Sequence, residues 1–91
     1  MYVLPESLTL RNARLIGDEL ITLYKHKSKV TGQARETTLD FSHLQDLDTA
    51  GLQLLLSTAK TFRKSDCPLK VINLQSPLEE LLKLSGAGDI L

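Results

Sequence analysis

The side chains in this chain that could do chemistry are hydroxyls, carboxylates, two histidines, one cysteine and a set of lysines. Ser57 and Asp66 raise the question of a hydrolase. Ser57 falls inside an apolar helical pattern, not on the Gly-x-Ser-x-Gly turn that exposes a nucleophile, and neither His26 nor His43 is placed by a motif to activate it. The sequence has no Walker loop and no Gly-x-Gly-x-x-Gly. His26 and His43 lack the Cys/His spacing of a metal site, so neither metal nor cofactor is expected. Cys67 beside Pro68 reads as a passive turn residue or a partly buried thiol. Lys25, Lys27 and Lys29 around His26 suit phosphate or an acidic partner, but cations at a helix C-terminus followed by a solvated loop explain them as well. No enzyme follows from these residues.

Asp48-Thr49-Ala50-Gly51-Leu52 carries more. Aspartate and threonine are preferred at a helix start, so capping alone accounts for the first two. A helix start also presents free backbone N–H groups and the positive end of the macrodipole, which suits contact with a partner. Both roles are compatible. Gly51 lies early in the helix, where glycine costs up to about 1 kcal/mol against alanine. A steric reason is therefore expected: internal packing, or room for another backbone to approach.

Several elements must position this stretch. Tyr2–Leu4 and Ser7–Leu10 read as short extended segments, interrupted by Pro5, which implies an edge or a bend. Ala13, Ile16, Leu20, Leu23 and Tyr24 form one stripe of a helix over Ala13–Lys25, with Asn12 as its cap. Residues Lys27–Glu36 read as a loop. Thr37–Phe41 suits a strand with Leu39 and Phe41 on one face and Asp40 on the other. Ser42–Asp48 is a connection anchored by Leu44 and Leu47. A second helix over Thr49–Lys64 buries Leu52, Leu55, Leu56, Ala59 and Phe62, and Leu54 widens that face enough to imply packing against more than a sheet. After a turn at Asp66–Pro68, Leu69–Leu74 is a strand. Ser76, Pro77 and Glu79 then read as a capping box for a third helix, with Leu78, Leu81 and Leu82 inward. Gly86 and Gly88 end it, and Asp89–Leu91 packs as a tail. Alternation of this kind implies an α/β fold with parallel pairs and crossover helices.

Composition bounds the function. The chain has 91 residues, 42% of them hydrophobic and 24% charged, with a formal net charge of zero. That length suits one domain over residues 1–91. The neutral balance argues against nucleic acid and against electrostatic attraction to an anionic membrane. A lone cysteine suits a reducing compartment. MYVLPESLTL is unlike a secretory signal, and no apolar run approaches the roughly 20 residues of a membrane span. These features point to a cytoplasmic protein without direct membrane insertion.

Thr38-Leu-Asp-Phe-Ser-His-Leu-Gln-Asp-Leu-Asp-Thr-Ala-Gly-Leu-Gln-Leu-Leu-Leu56 resembles the core of the STAS family, the sulphate transporter and anti-sigma factor antagonist domains. In that family a strand ending in Leu-Asp-Leu-Ser leads through a short loop to Asp-Ser-Ser-Gly-Leu at a helix start. Here Asp48-Thr49-Ala50-Gly51-Leu52 stands in that place. Leu69–Gly86 is similar to the next strand and helix. The resemblance implies a mixed sheet of four or five strands with helices packed mainly on one face. The short segment before the first helix implies a trimmed opening hairpin.

The resemblance also implies a bacterial protein that binds another protein and catalyses nothing. Contact would be made by Asp48, Thr49, Ala50 and Gly51, with Ser42, His43 and Gln45 of the preceding loop. In members controlled by phosphorylation the acceptor is the serine before the glycine. Ala50 stands there and cannot accept a phosphoryl group; Thr49 carries the nearest hydroxyl without inheriting the role. One implied class of partner is a switch kinase or anti-sigma factor, or a chemotaxis component. Another is the ATPase of a lipid-trafficking ABC transporter, whose STAS subunits carry a similar Asp-Thr-Gly-Gly. The leucine-rich second helix also leaves a homodimer open. A small ligand in the sheet–helix crevice ranks low, since nothing polar converges there.

Overall fold

The structure is a computed structural model that describes residues 1–84, except the side chains of residues 33 and 34. The expectations for Gly86, Gly88 and Asp89–Leu91 lie outside the described residues. Its elements are β1 (Tyr2–Val3), β2 (Ser7–Leu8), α1 (Ala13–Lys27), a 3-10 turn (Gly32–Arg35), β3 (Thr37–Asp40), β4 (Asp46–Leu47), α2 (Thr49–Lys64), β5 (Leu69–Ile72) and α3 (Ser76–Leu84).

The strands form two ladders. One has the order β1-β3-β5 and the other pairs β2 with β4. Every pair is parallel, with Tyr2 opposite Leu39, Leu39 opposite Val71, and Leu8 opposite Leu47. The α/β class therefore stands, but the described sheet is smaller than four or five strands. β1 and β2 pair with different partners rather than with each other, so no opening hairpin forms between them. Pro5 sits at the switch between the two ladders, where its missing N–H costs no hydrogen bond.

Register decides which side is buried. Tyr2, Leu39 and Val71 share one face, and Val3, Asp40 and Ile72 share the other. The Leu39 face meets a core of Leu4, Leu8, Ile16, Leu20, Phe41, Leu44, Leu55 and Leu82. The opposite face is more open, with Val3 and Lys70 exposed. Burying those core leucines and the phenylalanine is worth about 1.5–3 kcal/mol each, an upper bound because unfolded chains already bury some surface. α2 touches α1, β2, β4 and β5, as the breadth of its apolar face implied.

Several local expectations change. Asn12 makes no cap bond to α1. Its Oδ1 accepts from Thr9 N at 2.9 Å and its Nδ2 donates to Ser7 O at 2.7 Å, so it ties down the turn before the helix instead. α1 runs two residues past Lys25, and the loop after it contains the 3-10 turn. On α2, Leu52 and Leu56 are half-buried, while Gly51 and Thr58 join the buried face. Thr58 is tolerated there because its hydroxyl donates to Leu54 O at 2.8 Å. α3 begins at Ser76 with its backbone ladder opening on Gln75 O, so Ser76 lies inside the first turn rather than before it. Leu81 is exposed; Leu82 carries the burial.

Candidate functional site

The start of α2 is built around one carboxylate. Asp48 is extended, at φ −102° and ψ −176°, the usual shape of a residue before a helix. Its Oδ1 accepts from Gly51 N and its Oδ2 from Leu10 N, both at 2.9 Å. Its own N–H reaches Leu8 O at 3.3 Å. Asp48 thus binds the first turn of α2 to the segment between β2 and α1. These N–H groups, Gly51 first and Leu10 second, hold its carboxyl below the usual carboxylate range.

Thr49 is exposed, Ala50 is half-buried and Gly51 is buried. A Cβ on Gly51 would run into the Leu8 carbonyl oxygen and lie 2.9 Å from both Leu8 C and Leu47 Cδ1. The backbone that approaches this glycine is the chain's own. Gly51 therefore sets how closely α2 seats on β2, and Thr49 is what the seat presents to solvent.

The preceding loop has an inside and an outside. Leu44 is buried, while Ser42, His43 and Gln45 are exposed around it. Ser42 N donates to Asp40 Oδ1 at 2.9 Å, and Gln45 N to Glu6 O at 2.8 Å. Asn73 Nδ2 reaches the same Asp40 oxygen at 3.0 Å from the end of β5, with Asn73 at φ 58°. Asn73 first and Ser42 second keep the Asp40 carboxyl below its ordinary value. β4 separates this loop from Thr49 along the chain.

Sequence reasoning missed Leu10. Alternation along Ser7–Leu10 puts Leu8 and Leu10 on one face. The strand ends at Leu8, and Leu10 turns outward at 77% exposure beside Asp48. With Ser7, Thr9, Arg11 and Asp46 it lines a cleft of about 660 Å³ next to the start of α2. No pattern marked it, because the bond from Leu10 N to Asp48 is long-range.

The arrangement suits holding a shape better than moving a proton. Both Asp48 oxygens are engaged by N–H groups, and a lowered pKa makes a poor base for the Thr49 hydroxyl. The family model described as "Mlab, STAS domain" matches residues 3–91. The chain belongs to the STAS domain family. No curated protein and no solved structure matches it. STAS domains generally mediate protein–protein interactions and are generally non-enzymatic. Within the STAS motif of this chain, Asp48 is the structural member, Gly51 the packing member and Thr49 the exposed one. No helix among the described residues is long and apolar enough to cross a membrane.

A pH dependence follows from the two carboxylates. Both have folded pKa values below their unfolded ones, so their stabilisation is present above the unfolded carboxylate value, near 4. It is lost as pH falls through the lowered values. Urea midpoints should be level from about pH 7 to 5 and fall below about pH 4. Asp48→Asn, which keeps one acceptor oxygen but no charge, should flatten that acid limb. An acid limb of unchanged slope in this variant would remove Asp48 from the account.

Proposed function

We propose that this STAS protein is a non-enzymatic regulatory module, anti-sigma factor antagonist-like, that docks a protein partner through the start of α2. The partner is a switch kinase or anti-sigma factor, or a chemotaxis-type signalling protein. The supporting observation is the seat of Asp48: it pins Leu10 and Gly51, and so holds Thr49 outward on a fixed helix start. Ser42, His43 and Gln45 extend the surface, and Ala50 and Gly51 shape it from below. The whole chain acts as one domain in the bacterial cytoplasm, without cofactor, metal or nucleic acid.

A second reading is the cytoplasmic STAS subunit of a lipid-trafficking ABC transporter, docking its ATPase. Ala50 at the acceptor position favours it, because a permanent contact needs no phosphoryl group. The family model's description is compatible with this reading as well. The two are separated by purifying the tagged protein from its own host and identifying what accompanies it. A histidine-kinase-like ATPase or chemotaxis proteins support the regulator. An ABC ATPase with its membrane permease supports the transporter subunit. Recovery of the chain alone, or only as its own dimer, would count against both.

A further inference from the structure

α1 and α2 run in the same direction along their contact. Gly17 meets Leu54, whose Cδ1 would stand 3.2 Å from a Cβ at residue 17. Two turns on, the Tyr24 and Phe62 rings meet edge to face with centroids 5.4 Å apart. Tyr24 also hydrogen-bonds Ser65 through its hydroxyl. The seam between the helices is a groove of about 130 Å³ lined in part by Gly17, Ile21, Leu54, Ser57 and Thr61. Ile21 stands 53% exposed at its lip.

Parallel helices have an electrostatic outcome here. The last turn of α1 holds Lys25 and Lys27, and that of α2 holds Arg63 and Lys64. An antiparallel pair would put these cations at opposite ends; this pair puts them at one end of the groove. Lys25 lies four residues past Ile21, and Lys60 and Lys64 lie three past Ser57 and Thr61, so all three neighbour the groove wall. They are exposed, and no described carboxylate is ion-paired to them. No carboxylate among the described residues lines the groove. The acids of α1, Asp18 and Glu19, face a separate cleft with Met1 and Tyr2. The fractional negative charge of two helix ends, about half a unit each, together with the exposed Asp66 just past Lys64, offsets Lys25, Lys60 and Lys64 only in part.

We propose that the α1/α2 seam docks an amphipathic helical segment of a protein partner, with the acidic end of that segment against Lys25, Lys60 and Lys64. A shallow apolar seam between two helices accepts the side-chain ridge of a third. The cations gathered at this end outnumber Arg14, three residues before Gly17 at the other, and so give the bound helix its direction. This surface uses other residues than the exposed start of α2, and so goes beyond the reading above without resting on it.

The test is a titration of the isotope-labelled chain, followed by amide NMR, with a synthetic amphipathic peptide carrying leucines on one stripe and glutamates in its first two turns. A twin peptide has lysine for each glutamate. The glutamate peptide should move the amides of Gly17, Ile21, Ser57 and Thr61, bind at least about tenfold more tightly than its twin, and weaken with salt. The double variant Lys25→Glu, Lys64→Glu changes exposed residues only, so its spectrum should stay folded while the preference between the peptides reverses. Equal binding of the twins, no binding of the glutamate peptide, or shifts centred on Leu10 and Thr49 would overturn the proposal. Thr49→Glu keeps the two surfaces apart: it should leave peptide binding unchanged, and a loss there would place the peptide at the start of α2 and overturn the groove.

Discussion

Gly51→Ala should lower the unfolding free energy by about 3 kcal/mol, a large effect for one methyl group. The added carbon would enter the contact radius of the Leu8 carbonyl oxygen, with Leu8 C and Leu47 Cδ1 both at 2.9 Å. The Leu47 tip can rotate away. The Leu8 carbonyl cannot yield so easily, because it belongs to the β2 backbone and accepts the N–H of Asp48. Relief therefore means lifting the first turn of α2, which stretches the Asp48 bond to Leu10 N at the same time. Alanine's better helix propensity returns at most about 1 kcal/mol of the loss. Gly17→Ala is the control. Its nearest obstacle is the flexible end of Leu54 at 3.2 Å, so its urea midpoint should move far less. Equal midpoints for Gly51→Ala and the unmodified chain would mean that α2 does not seat on β2 as described.

Thr49→Glu should act on docking and leave the fold alone. The side chain is exposed, and a carboxylate in the first turn of a helix is favourable with the macrodipole, by about 0.3–1 kcal/mol. Thermal stability should therefore hold or rise slightly. Affinity for the partner isolated with the tagged chain should fall at least about tenfold, since bulk and charge are placed where a small hydroxyl stood. Thr49→Ser, which keeps the hydroxyl, should retain most of the binding. Thermal unfolding scans of the three proteins read the first quantity and calorimetric titrations the second. An unchanged affinity for the glutamate variant would take Thr49 out of the interface.

How far these features could be read beforehand depended on whether their cause was local. The α2 stripe was plain because Leu55, Ala59 and Phe62 repeat at helical spacing, and Leu54 announced a second packing partner that turned out to be α1. Asp48 was legible as a cap because its bond to Gly51 N spans only three residues. Its second bond, to Leu10 N, joins segments that no pattern connects, and Leu10 was missed with it. Asn12 shows the reverse error. Its type suits a cap, but neighbouring backbone groups at Ser7 and Thr9 competed for its side chain and won. Parallel pairing was expected from the alternation of elements, but the separate partners of the two-residue strands β1 and β2 were hidden, since such strands are too short to show a period. The need for glycine at 51 was legible as a question, and only the position of Leu8 answers it.

The two hydrogen bonds that Asp48 accepts have a consequence for motion. The amide hydrogens of Leu10 and Gly51 sit on two oxygens of one carboxylate. Neither can be released by swinging Asp48 aside without freeing the other. Their exchange with solvent deuterium should therefore keep a common clock, although one precedes α1 and the other lies in α2. A partner resting on Thr49 would slow that clock at Leu10 as well, so the far side of the seat would register the docking it does not touch.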